Sequence, residues 1–101
     1  MPNKGFKFTK KAVQDITTIW NYTYDKWSEN QANNYYKEII QHCNTIAKNP
    51  TLGRNYFGVL ETLKGSKVNR HIIFYRILET KEIEIERILH ERMDLKKHLG
   101  V

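Results

Sequence analysis

The chain has 101 residues, 40% of them hydrophobic and 28% charged, with 17 basic against 11 acidic side chains and a formal charge of +6. That length closes one modest core of helices on a sheet but not two, and the composition excludes disordered and collagen-like chains. With Cys43 as its one cysteine the chain cannot form an internal disulfide or a thiolate metal cluster, and no apolar run approaches the roughly 20 residues that span a bilayer.

These features predict a cytoplasmic protein folded as one domain over 1–101, because the start MPNKGFKF lacks the apolar core of a secretion signal. A pI near 9.5 makes the surface attractive to anions. Solubility accounts for such an excess as readily as a basic face for nucleic acid or an acidic protein segment.

The stretch GFKFT over 5–9 alternates and predicts a short strand with Phe6 and Phe8 on one face, after which Thr9 can cap a helix. From 10 to 27 the residues Val13, Ile16, Ile19, Trp20, Tyr24 and Trp27 recur at three- and four-residue steps, the pattern of an amphipathic helix. SENQ over 28–31 is a capping box that starts a second helix. Its stripe is Ala32, Tyr35, Tyr36, Ile39, Ile40, Cys43, Ile46 and Ala47, and KNP over 48–50 stops it, because a residue before proline leaves the helical region. With almost no loop between them, the two helices must fold back as an antiparallel hairpin or meet at a sharp angle.

NPTLGRNYFG over 49–58 predicts an ordered connection with little regular structure. SKVNRHIIFYRIL over 66–78 has apolar residues on both parities, as in a central strand covered on both faces, and ETKE turns the chain. IEIERILHERM then alternates until Arg87, where adjacent Ile88 and Leu89 predict a β-bulge or a change to two-sided burial. The tail LKKHLGV predicts a short turn of helix. The fold class is therefore α+β: an N-terminal strand, an antiparallel two-helix hairpin, then an antiparallel sheet of about three to four strands.

Candidate chemistry is sparse. His42, His71, His90 and His98 show no HExxH spacing or cysteine pairing, so no metal site is predicted, and no glycine-rich loop suggests a nucleotide cofactor. Cys43 falls on a helix stripe and reads as core. Arg76 and Arg87 sit in apolar strands, and the plain structural account pairs them with Glu84 or Glu86 across the hairpin. RNA cleavage needs an acid or base at a ribose hydroxyl and arginines on the phosphate, and His90, Arg87, Arg92 and Arg76 can be drawn in that arrangement. The residues alone leave a small basic binding domain and a nuclease both open.

The segments WSENQANNYY, IAKNPTLGR, RHIIFYRI and IERILHERMD, in that order and spacing, resemble the RelE/ParE toxin superfamily, and specifically its ParE branch. The resemblance spans nearly the whole chain and implies the same helical hairpin on an antiparallel sheet. It implies the toxin of a type II toxin-antitoxin system that binds DNA gyrase and blocks it on cleaved DNA, without turnover, until a ParD-like antitoxin captures it in a hetero-oligomer. On that basis Arg87, His90, Arg92 and Asp94 are expected to bind the target, with Asp94 fixing an arginine by ion pairing. Trp20, Tyr24, Trp27, Tyr75 and Arg76 are expected to line the groove for the antitoxin. The alternative is the superfamily's other branch, ribosome-dependent endoribonucleases, for which His90, Arg87 and Arg76 are the catalytic candidates. The chain departs from that branch at Glu91, where a tyrosine often follows, and at Ile72, where several nucleases carry arginine.

Overall fold

The structure, a computed structural model, describes residues 5–56 and 62–99. Strand β1 (Phe6–Phe8) leads into helices α1 (Lys10–Lys26) and α2 (Glu29–Lys48). A 3-10 turn at Pro50–Leu52 and the two-residue strand β2 (Arg54–Asn55) follow, then β3 (Lys64–Val68), β4 (His71–Ile77), β5 (Ile83–His90) and the short helix α3 (Leu95–Leu99). The connection expected over 49–58 is thus more regular than its composition suggests, and its last two residues lie outside the described residues.

Both caps form as their residue types require: Thr9 accepts from the Ala12 amide at 3.1 Å and Ser28 from the Gln31 amide at 3.1 Å. The sheet has five strands in the order β1-β5-β4-β3-β2, the N-terminal strand and the four that follow the hairpin, as expected. The 66–78 segment is two strands, because Val68 and His71 pair across a turn whose Asn69 takes a left-handed φ of 53°. β1 runs parallel to β5, and its partners are Ile83, Glu84 and Ile85.

The bulge near Arg87 is present. Phe74 pairs with Arg87 while Tyr75 pairs with Ile85, leaving Glu86 as the extra residue. It lets Ile83, Ile85 and Ile88 share the face that meets the hairpin, where Ile16, Ile39, Cys43, Ile46, Ile73 and Tyr75 complete the main core. On the other face Leu63, Ile72, Phe74 and Leu89 form a second cluster, covered by Tyr56 and by Leu95 and Leu99 of α3. Ile72 is therefore a core side chain.

The buried stripe of α1 is narrower than the apolar count suggests. Ala12 and Ile16 are buried and Ile19 packs on the core, whereas Val13, Tyr24 and Trp27 are exposed. Trp20 stacks on Tyr24 with centroids 5.2 Å apart and donates to Asn33 on α2 at 3.1 Å, so these rings clasp the hairpin.

Candidate functional site: a cleft where the sheet ends beneath the hairpin

At the end of the sheet His71, the first residue of β4, stands opposite His90, the last of β5. Their parity puts both on the hairpin side, and the rings meet edge to face at 5.3 Å. From α2, Tyr35 reaches down, with its hydroxyl 2.6 Å from Nδ1 of His71. Burial pushes the Tyr35 pKa up, against the opposing pull of the Arg70 backbone amide, so the phenol keeps its proton. Burial also lowers His71, to about 4, and the neighbouring His90 adds to the shift.

A cleft of about 820 Å³ opens beside this cluster. Its apolar lining includes Ile19, Tyr22 and Trp27 from α1 and its flank together with Met93, and Arg70 and Arg92 stand among the lining residues with the two histidines. Tyr22 and Trp27 are 60% and 70% exposed, an arrangement that leaves large rings in water. Two carboxylates stand at or beside the cleft: Glu38, which lines it, accepts from Asn69 at 2.5 Å, and Glu91 pairs with Lys67 at 2.8 Å.

Of the residues singled out from sequence, His90, Arg92 and Trp27 come together here. Arg87 lies outside the cleft lining. Its guanidinium is bidentate to Asp15 of α1 at 2.7 and 2.9 Å and donates to the His98 carbonyl at 2.8 Å, so it joins β5, α1 and α3, and the expected pairing with Glu84 or Glu86 gives way to Asp15. Asp94 makes no arginine pair among the described residues. It accepts from the Lys97 amide at 3.3 Å, the contact that opens α3.

Tyr75 lines no groove. It is fully buried, donating to the Pro50 carbonyl at 2.7 Å and accepting from the Gly53 amide at 2.9 Å. A Cβ on Gly53 would collide with that same hydroxyl, so the position needs glycine. Arg76 lies on the opposite side of the sheet, 3.7 Å from Glu86 as the cross-hairpin account expects. Trp20 and Tyr24 lie outside the cleft lining. Tyr35, Arg70, His71 and Met93 were missed, and the available signal was positional: a histidine opening one strand and another closing its antiparallel partner become neighbours once the hairpin register is known.

Cys43 is buried and its thiol is pushed up to about 12, which suits the filler role. No group of metal-binding side chains occurs among the described residues, and no helix there is long and apolar enough to cross a membrane.

The two-helix hairpin on a five-stranded sheet that starts with a parallel N-terminal strand is an α+β toxin-like arrangement of the kind the resemblance in the four segments implies. A solved chain from the "Chromosomal ParDE TA system from P. aeruginosa" shares this fold, with a TM-score of 0.73 over 85% of this chain and 94% of that one at 18% identity. The family described as "ParE toxin of type II toxin-antitoxin system, parDE" matches residues 6–95, and the chain belongs to it. Toxin ParE1 of Mycobacterium tuberculosis (strain ATCC 25618 / H37Rv) is 33% identical over 88 residues, covering 87% of this chain and 90% of the relative. Toxin ParE1 of Caulobacter vibrioides is 29% identical over 97 residues, covering 96% and 99%.

Proposed function

We propose that this ParE toxin acts by stoichiometric binding, holding DNA gyrase on cleaved DNA in the cytoplasm, and that a ParD-like antitoxin neutralises it by covering the cleft in a toxin-antitoxin hetero-oligomer. The observation that carries this reading is the employment of the sheet arginines. Arg87 is held by Asp15, Arg76 lies beside Glu86, and Ile72 is in the second core, so that of the positions on which RNA cleavage would draw His90 stands at the cleft without the sheet arginines. The open aromatic wall at Trp27 and Tyr22 supplies area for a partner. His90 and Arg92, at the cleft, are the target-contact candidates that remain, with Trp27 the corresponding candidate for the antitoxin.

The test is a supercoiling assay with purified gyrase, relaxed plasmid and ATP. Loss of supercoiling with accumulation of cleaved DNA is the expected result, and normal supercoiling at excess toxin rejects the proposal. A second reading, the ribosome-dependent endoribonuclease, draws on the Tyr35–His71–His90 cluster, since an imidazole kept neutral near pH 7 is able to take a proton. Codon-linked breaks in primer extension on translated messenger RNA, produced by catalytic amounts of toxin, would favour it.

A further inference from the structure

The hydrogen bonds around the two histidines bear on where their protons sit. The Arg92 amide donates to Nδ1 of His90 at 3.1 Å, and an amide can only donate, so neutral His90 carries its proton on Nε2. At His71, Nδ1 faces the protonated Tyr35 hydroxyl at 2.6 Å, whose oxygen also meets the Arg70 amide. A hydroxyl that donates to Nδ1 leaves His71 likewise with an Nε2–H. Two imidazole donors thus stand edge to face at the cleft, flanked by the guanidiniums of Arg70 and Arg92, which have no carboxylate within ion-pair distance among the described residues. These four side chains present donors to the cleft, and Glu38, which also lines it, is held by Asn69.

We propose that this cluster is a carboxylate-binding site: it takes an Asp or Glu side chain of an amphipathic peptide segment, whose apolar residues lie on Trp27, Tyr22 and Met93. The inference rests on the reading that the toxin has a protein antitoxin, and it names the chemistry by which that partner is recognised. A peptide fits better than nucleic acid, because no lysine lines the cleft and two arginines do not make the cationic track that a phosphate backbone follows. The mainly apolar wall suits side chains interleaved with acids, and the +6 charge of the toxin favours an acidic partner.

The experiment uses the full chain labelled with 15N at histidine. Long-range imidazole spectra should show both rings as the Nε2–H tautomer, and a proton on Nδ1 of either ring overturns the assignment. A synthetic peptide alternating Leu and Glu should perturb both Nε2 resonances and bind about tenfold or more tighter than its Gln counterpart, a difference of about 1.4 kcal/mol. H90F and R92Q should each erase most of that preference, R92Q at the thermal midpoint of the parent and H90F while still folded by circular dichroism. Equal affinity for the Glu and Gln peptides overturns the proposal, as does an oligonucleotide that shifts the same resonances and binds more tightly than the Glu peptide. Cognate antitoxin that binds the parent and H90F equally well, leaving the His71 and His90 signals unmoved, overturns this site while leaving antitoxin capture intact. An antitoxin that does not bind at all removes the partner reading, and the Glu and Gln peptides still decide the chemistry of the cleft.

Discussion

Asp15 on α1 and Arg87 on β5, 72 positions apart, meet in a two-armed ion pair whose carboxylate also accepts the Ile88 amide at 2.9 Å. The reason lies in the sheet. β1 ends at Phe8, opposite Ile85, so the following residues of β5 have no strand on that side among the described residues. α1 supplies the missing partners: the Thr9 amide donates to the Ile85 carbonyl, the Thr9 hydroxyl to the Glu86 carbonyl, and Asp15 accepts from Ile88.

Asp15→Ala should accordingly destabilise the fold by about 2–4 kcal/mol, since it strands a partly buried guanidinium and a backbone amide together. Arg87→Ala should cost a comparable amount, and any loss of toxicity in that variant should follow its lower denaturation midpoint. Urea denaturation of both single variants and the double variant checks this. Clearly non-additive losses are the expected signature of one shared interaction.

Tyr75→Phe removes the acceptor of the Gly53 amide and the donor to the Pro50 carbonyl, so it should lower stability by about 1–2 kcal/mol. Antitoxin affinity should not change, because the ring is buried. Thermal melts alongside calorimetric titration with antitoxin separate the two effects.

Trp27→Ala should do the reverse. The ring is 70% exposed, so stability should move by no more than about 0.5 kcal/mol, while antitoxin affinity drops about tenfold or more. Trp20→Ala, which breaks the clasp to Asn33, should show the larger loss of stability of the two.

The pH dependence combines opposed groups. His71, at about 4 when folded against an ordinary 6.5, binds fewer protons folded than unfolded in that window, so its contribution to stability falls as pH drops from 6.5 towards 4. His42, lowered by burial and 2.7 Å from the Ser66 hydroxyl, acts in the same direction. Glu86 is raised to about 7, first by burial and then by the hydrogen bond and charge of Glu84, with Arg76 opposing. It binds more protons folded, and its contribution is lost as pH rises from 4.5 through 7. Around His71 the charged and titratable neighbours are Tyr35, Glu38, Arg70, His90, Glu91 and Asp15. Across pH 4.5–6.5 these trends run in opposite directions in the parent. Glu86→Gln should therefore unmask a stability that rises steadily with pH, measurable as denaturation midpoints at several pH values.

The sequence by itself determined the elements whose causes are local. Thr9 and Ser28 cap helices because their hydroxyls reach amides three residues on, the Asn49–Pro50 step ends α2, and the break of alternation at Arg87 marks a real bulge. The four family segments carried the fold class as well. Tertiary structure alone decided which apolar residues are core, since the α1 stripe runs through Ala12 and Ile16 and not through the larger Trp20, Tyr24 and Trp27. It also chose the partners of the charged groups. Periodicity is a property of one segment, but whether Arg87 meets Glu86 beside it or Asp15 far along the chain depends on which edge of the sheet a helix covers. The pairing of His71 with His90 has the same origin: strand register brings together two residues that nothing in their own neighbourhoods connects.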